Sequence, residues 1–140
     1  MEIGLPKMAG PLTSGPGPEG AAMVKATVMN DALTANPGEH IPKATSSTPG
    51  QTEVSFRLWA REGHKTGIWE VTPGVFKSTR PGYDEICQIL SGKGTITEED
   101  GSSFEIGPGT LFVTPAGWTG TWTIHETLRK MWVVTDVPTN

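Results

Sequence analysis

The chain has 140 residues, a formal net charge of -4 and a pI near 5.3. That length fits one domain with a real core, and the acidic balance without a basic stripe argues against nucleic acid as a partner. No stretch approaches the roughly 18 apolar residues of a membrane span, and the N-terminus lacks the apolar core of a signal peptide.

Residues 1–20, MEIGLPKMAGPLTSGPGPEG, are rich in Gly and Pro and hold no aromatic residue. They can bury little apolar area against the entropy of ordering them, so they read as a flexible arm. Residues 21–52 form an extended N-terminal segment. Its first part, AAMVKATVMNDALTA, is apolar enough to pack on the barrel or on a partner as a short helix or edge strand, and NPGEHIPKATSSTPGQT follows as a connector. All ten aromatic residues lie between Phe56 and Trp132, which places the folded domain at 53–140.

From residue 53 the pattern is β. Short apolar or alternating runs sit between turn signals. The runs are 54–60, 66–71, 85–90, 94–99, 103–106, 110–115, 120–126 and 128–137. The intervening REGH, TPG, SGKG, DG, GPG and AGW read as turns, with a hairpin at SGKG and a solvated acidic hairpin at Glu98, Glu99 and Asp100. Thr, Val, Ile and Trp dominate the runs, as strands prefer. Eight short strands with Gly/Pro turns predict an all-β sandwich or barrel. The lone cysteine, Cys87, cannot form an internal disulfide, which suits a reducing cytoplasm.

The segments WEVTPGVF, YDEICQILSGKGTITEEDG and IGPGTLFVTPAGWTGTWTIHETLRK resemble the cupin superfamily, an antiparallel jelly-roll barrel. They are most similar to the subfamily typified by the ureidoglycine aminohydrolase cupin domain. Gly74, Glu85 and Gly92 match the first cupin motif, and Gly109, Pro115 and Gly117 match the second. The resemblance implies a homodimer and, in enzymatic members, bound manganese. It also implies a metal held by two histidines and a glutamate of the first motif and a histidine of the second. Here the first-motif histidine positions fall on Arg80 and Gly82 when counted from Gly74, or among Ser78, Thr79, Arg80 and Pro81 when counted back from Glu85, and the second-motif position falls on Gly120, leaving at most Glu85 as one ligand of four. A catalytic metal normally takes about three protein ligands, so no cofactor is expected from this motif.

Period-two alternation carries the inward orientation implied for Glu85 to Tyr83, Cys87 and Ile89, and that of Gly120 to Trp122 and Ile124. Arg129 and Lys130 are neighbours on one strand, so only one can face in. A buried Glu85 would have a raised pKa unless paired, with Arg80 the natural partner and Arg129 or Lys130 the others. One reading is therefore an enzyme without a tightly held metal. Glu85 would serve as acid/base, Tyr83 as an accessory donor and Arg80 as the anchor for a substrate carboxylate. Trp69, Cys87, Trp118, Trp122 and Lys130 are the candidate ligand-binding residues. The ligand expected is a small ureide-, amine- or carboxylate-like metabolite. The alternatives are a non-catalytic binding or sensing module and a metal-dependent aminohydrolase-like enzyme.

Overall fold

The computed structural model describes residues 23–138; the arm expected at 1–20 lies outside them. Eight antiparallel strands follow in order: β1 Ile41–Pro42, β2 Thr52–Arg61, β3 His64–Val71, β4 Gly74–Thr79, β5 Tyr83–Glu98, β6 Ser103–Ile106, β7 Leu111–Thr114 and β8 Thr119–Asp136. The described residues contain no helix, hence none long and apolar enough to cross a membrane.

Two long strands organise the barrel. The first half of β5 pairs with β7 and with the second half of β8, which also pairs with β3, and β2 and β1 complete that layer. The second half of β5 pairs with β6 and with the first half of β8, which also pairs with β4. Each long strand thus bends from one layer into the other, and the two layers face each other as a cupin jelly roll.

This bend corrects two readings of the sequence. SGKG is not a hairpin: β5 runs through it with register shifts between Ile89 and Gly94. Gly92 sits there at φ 90°, and a Cβ on it would lie 2.1 Å from the carbonyl oxygen of Thr127. Only glycine permits that close crossing of β5 and β8. Likewise 120–126 and 128–137 are one strand, β8. A third correction is β4, GVFKST, which the sequence reading left unassigned between the TPG turn and the run at 85–90; only Phe76 of it is deeply buried, so it shows little apolar alternation.

Between the layers pack Val71, Phe76, Cys87, Ile89, Ile96, Ile106, Trp122, Ile124 and Leu128. The expected inward set on β5 and β8 is found in this core or beside it. Residues 31–51 are neither helix nor long strand. They form a strap over the outside of β2 and β3, with one turn at Asp31–Ala35 and a two-residue pairing of β1 on β2.

Arg129, facing out, fastens the strap. Its Nε and Nη2 donate to Glu70 Oε1 at 3.1 and 2.8 Å, and its Nη1 donates to the carbonyls of Ala32 and Ala35 at 3.0 and 2.6 Å. Glu70 Oε2 meets His40 Nε2 at 2.9 Å, and the other ring nitrogen meets Thr52 Oγ1 at 2.8 Å.

Candidate functional site

A cavity of about 330 Å³ opens at one end of the barrel. Its floor is an ionic cluster. Glu85 Oε1 receives Arg80 Nη2 at 2.8 Å, and Glu85 Oε2 receives Lys130 Nζ at 2.8 Å. All three residues are at least nine-tenths buried. Alternation explains the delivery: Glu85 and Lys130 face inward from β5 and β8, while Arg80 enters from the turn that follows β4.

Arg80 is held rigidly. Its Nε donates to Thr114 Oγ1 at 2.9 Å, and its Nη1 donates to Ser78 Oγ at 2.7 Å and to the Thr79 carbonyl at 3.0 Å. Lys130 has a different environment. Its ammonium lies 4.5 Å from the ring centroid of Trp69 and 4.6 Å from that of Trp122, the range of a cation–π contact. The two indoles meet edge to face at 5.8 Å, and Trp122 stacks on Phe76 at 5.7 Å. Trp69 is fixed by its Nε1 donating to Glu53 Oε1 at 2.9 Å, and Lys43 from the strap meets the same oxygen at 3.1 Å.

Burial alone would push the Glu85 carboxyl up. The charges of Lys130 and Arg80, with hydrogen bonds from Lys130 and Cys87, outweigh it and hold the carboxyl below its ordinary range. Glu85 is therefore an anion at neutral pH, with both oxygens engaged. Burial pushes the Cys87 thiol up to about 11, so it is a neutral core group.

Of the residues singled out from the sequence, Trp69, Arg80, Tyr83, Glu85, Trp122 and Lys130 line the cavity. Tyr83 stands half-buried nearer the mouth, with its ring 5.9 Å from the Arg80 guanidinium. Two do not line it. Cys87 has no exposed surface and packs in the core below the cluster. Trp118 packs against Gly120, and its Nε1 donates to Glu98 Oε1 at 2.7 Å. Glu98 is thus engaged by an indole, although the rest of the acidic turn is solvated as expected. Sequence reasoning missed Lys43, Ser78, Lys65, Trp132 and Asp136 in the lining. Trp132 and Asp136 were accessible, because both share the inward parity of Lys130 on β8. Lys43 carried no signal, since it reaches the cavity only through the fold of the strap.

The cupin fold commonly holds a metal, and the donors here do not fit one. Arg80 occupies one histidine position, and its cation already neutralises Glu85 together with Lys130. Gly82 lies in an exposed turn at φ 80°. At Gly120, any Cβ would stand 2.4 Å from the Trp118 ring, so no imidazole can be placed there without moving that indole. None of the three histidines lines the cavity: His40 is in the strap latch, His64 begins β3, and His125 meets Thr95 on an exposed surface.

The family model for the EutQ-like cupin domain matches residues 58–132. The chain belongs to the EutQ-like cupin domain family. Among solved structures it is similar to the EutQ protein of Clostridium difficile, with 20% identity, a TM-score of 0.58, and coverage of 67% of this chain and 75% of that one. A putative ethanolamine utilization protein Q from Salmonella typhimurium is similar at 15% identity and TM-score 0.57, over 81% of this chain and 94% of that one. A protein of unknown function from Pseudomonas syringae, of the DUF861 family, is 25% identical with a TM-score of 0.61. That match spans 75% of this chain but only 46% of the Pseudomonas protein. No curated protein matches the chain. At these identities the EutQ likenesses carry the fold alone.

Proposed function

We propose that this cupin binds a small carboxylate-bearing metabolite in the barrel, using Arg80 and Lys130 as fixed cations where relatives would place a metal. The observation that carries the reading is the charge of the floor: two buried cations share one buried carboxylate, leaving a surplus positive charge beside an open cavity. Lys130 has three N–H groups and a single oxygen partner among the described residues. An anionic ligand supplies the acceptors that the ammonium lacks, and charge-assisted bonds of this kind are among the stronger polar contacts. The turn resemblance to the ureidoglycine aminohydrolase cupin favours the same ligand size and polarity.

Binding is preferred to acid/base catalysis by Glu85. A carboxylate clamped by two cations is a weak base and carries no proton to give at neutral pH.

The test is a calorimetric and thermal-shift comparison of matched small ligands with carboxylate, amine or uncharged amide ends. Carboxylates are expected to bind and stabilise, and Lys130→Met is expected to weaken them at least tenfold. Equal response to amines, or unchanged carboxylate affinity in Lys130→Met, overturns the reading.

A further inference from the structure

The cavity holds more free donors than free acceptors. Lys43, Lys65 and Lys130 all line it, and each ammonium carries three N–H groups. Among the described residues Lys130 Nζ has one oxygen partner, Lys43 Nζ has one, and Lys65 Nζ has none. The hydroxyls of Ser55 and Tyr83 reach only carbonyls 3.5 Å away, beyond the usual range for an O–H donor. The indole N–H of Trp122, in the cavity wall, is buried with no acceptor among the described residues. Acceptors are scarce by comparison. Both oxygens of Glu85 are taken, by Arg80 and Lys130. The other carboxylate of the lining, Asp136, stands at the exposed rim.

That imbalance discriminates between ligand classes. A ureide brings several N–H groups of its own, and an amine brings a further cation. Inside this cavity their donors would face other donors, and a buried donor without an acceptor is costly. An ionised carboxylate brings acceptors alone.

Charge and position set how many carboxylates fit. Lys43 lies beside the floor cluster. Its Nζ is 3.1 Å from Glu53 Oε1, the oxygen that also receives Trp69 Nε1 at 2.9 Å. The Trp69 ring in turn stands 4.5 Å from the Lys130 ammonium. Two ammoniums thus flank a single indole, one near its N–H edge and one near its ring centroid. Lys43 also lies 4.5 Å from the centroid of Phe76, which stacks on Trp122, the other ring beside Lys130. Lys65 is exposed and pairs with Val134, two inward rungs from the Trp69–Lys130 rung. Even with Glu53 counted, Lys43, Lys65, Arg80 and Lys130 outnumber Glu53, Glu85 and Asp136.

We infer that the ligand is a short dicarboxylate, with one carboxylate on Lys130 at the floor and the other on Lys43 of the strap. The inference rests on the carboxylate reading of the floor and narrows it to a class. The two carboxylates span one indole, a reach that a chain of a few carbons has. The strap thereby supplies one of the two anchors.

The experiment is titration calorimetry at neutral pH with acids paired by length: butyrate beside succinate, pentanoate beside glutarate, and N-carbamoylglycine as a ureide of similar size. The better dicarboxylate is expected to bind at least tenfold more tightly than its monocarboxylate and than the ureide. Lys43→Met is expected to cut the ratio of dicarboxylate to monocarboxylate affinity below threefold. A merely structural effect lowers both affinities and leaves the ratio unchanged. Lys65→Met removes the same charge at the rim and is expected to keep most of the ratio. Monocarboxylates that bind as tightly as dicarboxylates overturn the inference and leave the carboxylate reading standing. A ureide that binds more tightly than either dicarboxylate also overturns it, as does a ratio that survives Lys43→Met or falls equally in Lys65→Met. Failure of every acid to bind overturns both readings.

Discussion

At the scale of single residues, the cluster at the cavity floor is asymmetric, and the asymmetry decides what substitution does. Removing Glu85 leaves two buried cations side by side, whereas removing Lys130 leaves a balanced Arg80–Glu85 pair. Stripping the partner from a buried charge typically costs about 3–5 kcal/mol. Glu85→Gln is therefore expected to destabilise the fold by roughly that amount, and Lys130→Met by clearly less, about 1–2 kcal/mol. Urea unfolding of the two variants measures the order directly. A larger loss for Lys130→Met would mean that its packing between Trp69 and Trp122, not its charge, dominates.

The same residues set the acid limit. Glu85 and Glu70 both have their carboxyl groups lowered from an ordinary 4.5, in each case because burial is outweighed by neighbouring cations and hydrogen bonds. The folded state then binds fewer protons than the unfolded state near pH 4. Their contribution is fully present above about 4.5 and is lost as pH falls below it, through the lowered values. Cys87 works in the opposite direction. Its thiol rises from 9.0 to about 11, so its contribution holds below pH 9 and is lost as pH climbs toward 11. A plot of melting temperature against pH should be level between these limits and fall on both sides. The acid fall should be shallower in Glu85→Gln, because the substituted position no longer titrates.

At the scale of elements, the strap and the cavity share two adjacent rungs of the β3–β8 ladder. Trp69 pairs with Lys130 and faces in; Glu70 pairs with Arg129 and faces out. The inward pair lines the cavity and the outward pair fastens residues 31–40. Arg129→Met removes the donors to Ala32, Ala35 and Glu70 together. Its expected effect is local. Amide hydrogen exchange should quicken over residues 31–40, while the core strands β5 and β8 keep their protection. Exchange that quickens equally across β5 and β8 would show that the latch is part of the global folding unit. Lys43, which reaches the cavity from the same strap, should loosen with it, giving a moderate loss of ligand affinity through a residue that never touches ligand.

At the scale of the whole molecule, legibility followed the range of the interactions. Period-two alternation is local, so once the cupin resemblance set Glu85 and Gly120 inward, the inward facing of Cys87 and Trp122 followed from the chain. Glycine and proline spacing marked the cupin turns. The continuity of β5 through SGKG could not be read, because the close crossing with Thr127 that makes Gly92 a bulge lies 35 residues away in sequence. Nor could the choice between Arg129 and Lys130 be made from parity alone; the strap's carbonyls, far upstream, claim Arg129.

Charge at this largest scale leads to the remaining expectation. The chain as a whole repels anions, with a net charge of -4, yet the cavity concentrates Arg80, Lys130, Lys43 and Lys65 around Glu85 and Asp136. A low-dielectric funnel of that sign attracts a carboxylate locally against an unfavourable distant field. Added salt screens the distant repulsion first, because those charges are exposed and lie beyond a screening length of about 10 Å at 0.1 M. The buried contact with Lys130 is screened much less. Raising salt from low to about 0.1 M should therefore leave carboxylate affinity unchanged or slightly improved, and only near 1 M, where the screening length is about 3 Å, should it fall by a few-fold. Titration calorimetry across that range separates this behaviour from a surface site, whose affinity declines steadily from the lowest salt upward. A steady decline would place the bound carboxylate on exposed lysines and not on the buried cluster.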